Sequence, residues 1–282
     1  MGTRLPYGTP FGFGLTFVSP EALAAFAPEG VSPVEALVGA CKELDAAFAF
    51  VPSWETWAPD AVTALRTAGV SVFWAVEGPL WPVLEVRGLQ DGLRATLTHP
   101  DDVAREMRDG VEQVIADVHR GLVLGVSAVV IAEDLAGSEG PLVAPDFAID
   151  VLTPMLAEIV GVANGFGAPT VLHSDGEIRW LLPAIKRAGF AGIHGGGGLS
   201  FDAFERLFRA AHALEIAVIG GLPTADLLGG TAQAEMLGSR VGMLARAGGL
   251  LVADDGGITT KDEVLSLRDA LVVARAAAGG RS

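Results

Sequence analysis

The stretch PTVLHSDGEIRWLLPAIKRAGFAGIH, residues 169–194, contains a complete strand–helix–strand pattern. Its first part, residues 169–173, is a short run of apolar and β-branched residues, which is typical of a buried strand. An amphipathic segment covers residues 177–187, and a second apolar run follows over residues 190–194. Two such strands joined by a helix run parallel, because the helix carries the chain back across the sheet. The stretch therefore predicts a βαβ unit.

The same alternation extends along the whole chain of 282 residues. The predicted strands cover residues 12–18, 46–51, 70–76, 126–132, 169–173, 190–194, 216–220 and 249–253. Eight such repeats predict a single α/β domain over residues 1–282, folded as a (β/α)8 TIM barrel, with a doubly wound open sheet as the alternative. Residues 77–100 fit neither pattern, and we expect them to form a long irregular loop that serves as a lid or a binding loop.

Composition limits the classes of partner. The chain carries 34 acidic and 19 basic residues, and its net charge of −15 repels nucleic acid. No run approaches the ~18 apolar residues of a membrane span, and the first residues lack the pattern of a secretory signal. The single cysteine, Cys41, excludes an intramolecular disulfide and fits a reducing compartment. We therefore expect a cytoplasmic protein that binds a small molecule.

Ionisable and aromatic residues follow most of the predicted strands. In a TIM barrel these strand ends meet at one mouth, which holds the active site. The candidate catalytic residues are Glu133, Asp134, Asp175 and His194. The candidate substrate-binding residues are Trp54, Glu55 and Glu77. The sequence thus predicts an enzyme site at the mouth.

Two kinds of chemistry fit these residues. His173, Asp175 and Asp255 could bind zinc or another divalent metal, because a His-x-Asp spacing on a strand puts both side chains on one face. Alternatively, crowded carboxyl groups could perform acid–base catalysis without a metal. Asp175 could also simply cap the helix that follows it, and Asp255 could belong to an ordinary turn. The residues leave these alternatives open.

Several blocks, taken in order, resemble the uroporphyrinogen decarboxylase superfamily and within it the corrinoid-dependent methyltransferase branch. The most specific block is the opening stretch, residues 169–194. IAEDLAGSEGPLVAPDFAIDVLTPML precedes it at residues 131–156, and GGLLVADDGGITTKDEV closes the pattern at residues 248–264. The resemblance covers roughly residues 40–275. It implies a TIM barrel with its site at the mouth, and a homodimer.

Departures from the family pattern affect the expected activity. The decarboxylases carry an N-terminal arginine signature, but Arg4 is the sole arginine before residue 66. The methyltransferases bind zinc through a His-x-Cys pair after the fifth strand and a Cys after the eighth. His173 matches the histidine, whereas Asp175 stands at the first cysteine, and Asp254 or Asp255 stands near the second. The absence of thiolates argues against activation of a thiol by zinc.

The leading hypothesis is therefore a corrinoid-linked methyltransferase that acts on a small methylated substrate such as a methyl ether. No cobalamin-binding segment is visible, so the cobalamin is expected on a partner protein. His173 and Asp175 would bind a metal or polarise the leaving atom, and Glu133, Asp134 or Asp255 would supply its proton. The alternatives are a decarboxylase-like lyase that acts on a small acid and a barrel that binds a ligand without catalysis.

Overall fold

A computed structural model describes residues 12–26 and 30–279, where the chain forms a closed barrel of eight parallel strands. The strands are β1 Gly12–Leu15, β2 Phe48–Pro52, β3 Ser71–Glu77, β4 Ala128–Ala132, β5 Ala136–Gly137, β6 Gly140–Pro141, β7 Thr170–His173, β8 Gly192–His194, β9 Ala217–Leu222 and β10 Leu250–Asp254. The short strands β5 and β6 form a separate hairpin after β4. The other eight pair in chain order, and β10 pairs with β1. The predicted TIM barrel and its eight strands are confirmed.

Helices connect the strands and cover the outside of the barrel. They are α1 Pro20–Phe26, α2 Pro33–Glu43, α3 Ala58–Thr67, α4 Trp81–Arg87, α5 Leu89–Thr98, α6 Pro100–Leu124, α7 Pro145–Phe147, α8 Thr153–Gly165, α9 Leu182–Ala188, α10 Phe201–Ala213, α11 Thr224–Leu227, α12 Thr231–Ala245 and α13 Lys261–Ala278. A π-helical turn, Ala148–Leu152, joins α7 to α8, and a 3-10 turn, Arg179–Leu181, precedes α9. Among the residues described, no helix combines the length and apolarity needed to cross a bilayer. Arg4 and the N-terminal segment without a secretory pattern lie outside the described residues.

The prediction of an irregular loop over residues 77–100 is wrong. The segment folds into α4 and α5, which are separated by Gly88 at a φ of 80°. Three prolines and three glycines obscured its helical pattern. Pro82 lies in the first turn of α4, where its missing N–H has no helical acceptor to lose. The helix α4 begins at Trp81, and its first turn lies beside the barrel mouth.

Aromatic rings fill the interior of the barrel. Phe73 stacks on Phe48 at a ring-centroid distance of 5.0 Å and on Phe50 at 5.8 Å. A methyl group at Gly14 would collide with the ring of Phe48, so the first strand is glycine-rich where the interior is occupied by a large neighbour. This layer closes the barrel below the mouth, and any ligand must enter from the carboxyl ends of the strands.

The last two long helices, α12 and α13, approach each other closely through small residues. A methyl group at Gly238 would collide with the backbone carbonyl of Ala270, and one at Gly242 would collide with that of Ala274. Because backbone atoms cannot move as a side chain can, these glycines set the distance between the helices. This pair packs on the outside of β9 and β10 and supports the strands that close the barrel.

We predict that Gly238→Ala lowers the free energy of unfolding by about 1–3 kcal/mol, because the added methyl group overpacks the contact with α13. Gly161→Ala is the matched control, since Gly161 lies on an exposed part of α8 with open space around it. The control should stabilise the protein by up to about 1 kcal/mol through helix propensity. Urea unfolding measures both, and equal effects of the two changes would contradict the proposed contact.

Candidate functional site

Two histidines meet at the ends of neighbouring strands. His173 ends β7 and His194 ends β8, and the two residues are paired in the register of these parallel strands. Their Nδ1 atoms lie 2.8 Å apart, and their ring centroids are separated by 4.8 Å. Burial lowers the pKa of His173 and lowers the pKa of His194 well below its usual value. Both rings are therefore neutral at pH 7.

The hydrogen bonds of this pair determine which nitrogen carries each proton. The Nε2 atom of His194 lies 3.3 Å from the backbone carbonyl of Asp254, which can only accept, so this nitrogen donates. The Nδ1 atom of the neutral His194 ring then accepts from Nδ1–H of His173. The Nε2 atom of His173 is left with a free lone pair, 3.7 Å from Oδ1 of Asp134. His173 can thus act as a base.

A cavity of about 270 Å³ opens beside this nitrogen and is called the mouth cavity here. Its lining residues are Phe17, Trp54, Glu77, Trp81, Ala132, Glu133, Asp134 and His173. The rings of Phe17 and Trp54 are nearly parallel, with centroids 6.3 Å apart, and Phe17 also contacts the ring of His173 at 5.0 Å. The mouth cavity therefore combines aromatic faces with carboxyl groups and a neutral imidazole.

Glu133 is the buried acid of the mouth cavity. It follows β4 directly and is 2% exposed, and its Oε1 atom accepts a hydrogen bond from the Leu80 backbone N–H at 2.9 Å. A methyl group at Gly78 would occupy the position of this carboxyl group, so a larger residue there would displace the Glu133 side chain. Burial, reinforced by the charges of Asp134 and Glu77, raises the pKa of Glu133 to about 8. Glu133 consequently holds a proton at neutral pH.

Two further carboxyl groups border the mouth cavity. Glu77 ends β3, and partial burial with the nearby charges of Glu85 and Asp117 raises its pKa. The side chain of Asp134 is 47% exposed, and its Oδ1 atom accepts from the Asp175 backbone N–H at 3.3 Å. The eight lining residues include no lysine or arginine. The mouth cavity therefore has three carboxyl groups and no positively charged side chain in its lining, which makes it unsuited to an anion.

Asp175 occupies a different position from the one predicted. The strand β7 ends at His173, so the alternation that would put both side chains on one face stops before Asp175. The carboxyl group fills the space beside Gly197, and its Oδ1 atom is buried without a hydrogen bond. It caps no helix, since the 3-10 turn that follows has no side-chain cap. Burial and the charges of Asp134 and Asp255 raise the pKa of Asp175 to about 7.

The two aspartates at the end of β10 have structural roles. Asp255 accepts hydrogen bonds from the backbone N–H of Thr224 at 2.9 Å and from its hydroxyl at 2.6 Å. Asp254 accepts from the backbone N–H of Thr16 at 2.9 Å, from the Thr16 hydroxyl, and from the N–H of Gly256 at 3.0 Å. Burial raises the pKa of Asp254 to about 6. These bonds hold the loops of the rim in place.

The predicted metal ligands His173, Asp175 and Asp255 are not assembled. Within the residues that the structure describes, no three histidine, cysteine, aspartate or glutamate side chains converge in a way that could hold a metal ion. The physical reason is that the Asp255 carboxyl group is turned to Thr224 and the Asp175 carboxyl group to Gly197. The residues present do not fit zinc or another divalent metal bound through this set.

The remaining predicted site residues divide into two groups. Trp54, Glu77, Glu133 and Asp134 line the mouth cavity together with His173, and His194 supports His173 from behind. Glu55 is half-buried in the loop after β2 and is not among the lining residues. Sequence reasoning missed Phe17, which it placed inside the first strand. Trp81, which also lines the mouth cavity, was not among the predicted site residues and lies in the segment that was predicted to be irregular.

We predict that Glu133→Gln removes part of the pH dependence of stability. Folded Glu133 keeps its proton up to about pH 8, whereas the unfolded side chain loses it near 4.5, so the folded state binds more protons between these values. The free energy of unfolding of the wild type should therefore fall as the pH rises from 5 to 8, by up to about 1.4 kcal/mol per unit for one proton. For Glu133→Gln, the free energy of unfolding measured with urea should depend less steeply on pH, by that same amount per pH unit.

The control for this comparison is Glu112→Gln, which removes the same charge from an exposed position on α6. If Glu133→Gln and Glu112→Gln give the same change in slope, the effect comes from net charge and the buried acid is excluded as its cause.

We also predict the protonation of the histidine pair at pH 7. The Nδ1 atom of His173 and the Nε2 atom of His194 should carry the protons, because the Asp254 carbonyl fixes the second ring. The ¹⁵N chemical shifts of labelled histidine distinguish protonated from bare ring nitrogens. The variants His173→Gln and His194→Gln assign the signals to the two rings. A protonated Nε2 on His173 would refute the assignment of this atom as a base.

Comparisons with known proteins agree with the barrel. No protein-family model matches the chain, and no curated protein sequence matches it either. A methyltransferase from Methanosarcina mazei has 19% identity and a TM-score of 0.60, over 77% of this chain and 63% of that one. D-psicose 3-epimerase from Clostridium cellulolyticum H10 has 9% identity and a TM-score of 0.56, over 94% of this chain and 99% of that one.

An archaeal fructose-1,6-bisphosphate aldolase has 14% identity and a TM-score of 0.50, over 97% of this chain and 95% of that one. At such identities these similarities show the fold alone. The chain spans less than two thirds of the methyltransferase chain, and the resemblance to the uroporphyrinogen decarboxylase superfamily is not confirmed by these matches. The chain is similar to TIM-barrel enzymes of several different activities.

Proposed function

We propose that the protein is an enzyme that transfers a methyl group from a small methylated donor held in the mouth cavity. One observation carries the proposal: the same cavity presents aromatic faces, the buried acid Glu133 and the bare nitrogen of His173. Aromatic faces hold methyl groups by dispersion. The Glu133 carboxyl group and the His173 nitrogen can form hydrogen bonds with the part of the donor that the methyl group leaves. The similarity in fold to the Methanosarcina mazei methyltransferase supports this choice among barrel activities.

Methyl transfer is a displacement at the methyl carbon. A nucleophile forms a bond to this carbon, the bond to the leaving atom breaks, and its electron pair stays on the leaving atom. The three centres must be in line, so positioning contributes most of the catalysis. The leaving atom departs readily if Glu133 gives it a proton or if it is already positively charged. Phe17 and Trp54 would fix the donor for this alignment.

The proposed acceptor is a corrinoid carried by a partner protein. The mouth cavity, at about 270 Å³, is too small to enclose a corrinoid, which would have to approach from outside the cavity. When bound, the reduced corrinoid supplies the strong nucleophile that a methyl ether or methylamine requires. The chain's own residues bind the donor, exclude water and hold the proton of Glu133. No metal on this chain is part of the proposal, because the predicted ligand set does not assemble.

A second candidate is a lyase that works by proton transfer on a neutral substrate. His173 supplies a base and Glu133 an acid on the same cavity, which is the arrangement that such a reaction needs. A small acid as substrate is disfavoured, because no lysine or arginine lines the mouth cavity to bind its carboxylate. The archaeal aldolase forms a carbinolamine on a catalytic lysine. That chemistry is also disfavoured here, since the three lysines of this chain lie on helices and none lines the mouth cavity.

We predict that the purified protein forms methylcobalamin when it is incubated with cob(I)alamin and a suitable methyl donor. The panel should contain methyl ethers, methylamines, quaternary ammonium compounds and methyl thioethers, and absorbance spectra follow the conversion. Replacement of Trp54 by leucine should lower kcat/KM by about tenfold, because the aromatic face that positions the donor is lost.

Trp57→Leu is the matched control, since Trp57 packs on the outer core and does not line the mouth cavity. Absence of methylcobalamin across the whole panel would overturn the proposal. Proton exchange into a neutral substrate, measured in deuterated water, would then favour the lyase, and ligand binding without turnover would favour a non-catalytic barrel.

A further inference from the structure

The carboxyl groups of the mouth cavity lack a positive partner. Glu77, Glu133 and Asp134 border it, and none of the eight lining residues is a lysine or an arginine. Arg120, on α6, is engaged elsewhere, with the Ser53 carbonyl at 3.0 Å and the Asp117 carboxylate at 3.2 Å. Buried or crowded carboxyl groups without a counter-charge are unfavourable. A ligand that brings a positive charge would relieve this crowding.

One of these carboxyl groups also has an oxygen that is available to a ligand. Glu133 is 2% exposed and lines the mouth cavity, and its Oε1 atom accepts the hydrogen bond from Leu80. Among the described residues, no donor is found for its Oε2 atom. The Oε2 atom is not among the described polar atoms that are fully buried without a partner, so it is accessible from the mouth cavity and a group of a bound ligand can contact it. The available oxygen of Glu133 is an observation separate from the lack of lysine and arginine in the lining of the cavity.

The aromatic residues complete the surroundings that an organic cation requires. Phe17 and Trp54 are almost parallel, at an interplanar angle of 18°, and Trp81 also lines the mouth cavity. The faces of aromatic rings carry partial negative charge and attract cations, and aromatic cages are a recurrent site for quaternary ammonium groups. Aromatic walls alone would suit any flat ligand, but walls combined with three carboxyl groups favour a cation.

We propose that the methyl donor is a small methylated onium ion, of which a quaternary ammonium compound is the simplest form. The inference rests on the proposed methyl transfer and names its substrate class. The electron pair of the acceptor forms a bond to the methyl carbon while the bond between this carbon and nitrogen breaks. The electron pair of the broken bond stays on nitrogen, and a neutral tertiary amine leaves. The departure needs no proton. The positive charge of a bound onium ion favours the ionised form of Glu133, so in this complex Glu133 loses the proton that it holds in the free protein and serves as a carboxylate partner of the cation.

The test compares choline with 3,3-dimethylbutan-1-ol, which has the same shape but a carbon in place of the charged nitrogen. Isothermal titration of the full chain at pH 8.5 measures both, with tetramethylammonium as a third probe. Choline should bind at least about tenfold more tightly than the neutral alcohol, because only the cation gains from the rings and carboxyl groups. Glycine betaine should bind more weakly than choline, because its carboxylate meets Glu77 and Asp134.

Variants locate the binding within the mouth cavity. Trp54→Leu and Glu133→Gln should each weaken choline binding by about tenfold and leave the affinity for the neutral alcohol unchanged within about twofold. Trp57→Leu and Glu112→Gln, which change residues outside the cavity, should have no effect on either ligand. Trp54 is 47% exposed, so its replacement should not prevent folding.

The outcomes separate this inference from the methyl-transfer proposal. If choline binds and no donor yields methylcobalamin, the cation site stands and methyl transfer is overturned. If ethers yield methylcobalamin and choline and tetramethylammonium do not bind, methyl transfer stands and the substrate class is overturned. Equal affinity for choline and the neutral alcohol would likewise overturn the cation site.

Discussion

The carboxylate of Asp254 makes the interaction on which the closed barrel and its site depend. It joins the last strand to the first through Thr16, while the backbone carbonyl of the same residue accepts from His194. One residue thus reinforces the closure that the pairing of β10 with β1 makes, and it sets the proton position in the histidine pair. The strand β1 has four residues: Phe13 and Leu15 pack in the core, whereas Gly14 faces Phe48, and the pairing with β10 covers two residues. Burial of Asp254 makes these hydrogen bonds necessary, since an unpaired carboxylate there would be costly.

The fold could largely be predicted from the sequence because the alternation of buried strands and amphipathic helices repeats eight times. The site could be predicted in part, since parallel strands bring their carboxyl ends to one rim and this put Glu133, Asp134 and His173 near each other. The sequence pattern does not predict which way each side chain points in the loops that follow the strands. The Asp255 carboxyl group turns to Thr224 and is removed from the predicted metal set. Phe17 was missed because an apolar residue beyond a strand looks like its continuation.

Electrostatics divides the rim into two regions. On one side the acids are satisfied by hydrogen bonds from backbone and threonine groups, as at Asp254 and Asp255. Burial raises the pKa values of acids in both regions, but on the other side Glu77 and Glu133 line the mouth cavity, and the donor found for Glu133 among the described residues is the Leu80 N–H. Perturbed groups that cluster in a cleft are a physical indication of function rather than of stability. This contrast identifies the part of the rim between β2 and β8 as the chemical part of the barrel.

The division of the rim into two regions also affects how the ligand specificity of such a protein can evolve. Substitutions at Trp54, Trp81 and Glu77 alter the ligand without touching the contacts that close the barrel, because these residues are partly exposed and belong to β3 and the neighbouring loop and helix. At the opposite side the β10–β1 pairing closes the barrel, and hydrogen bonds from threonines to Asp254 and Asp255 reinforce the rim there. New ligand specificities can therefore arise with little loss of folding stability. One side of the rim is free to evolve, while the other side keeps the contacts that the fold needs.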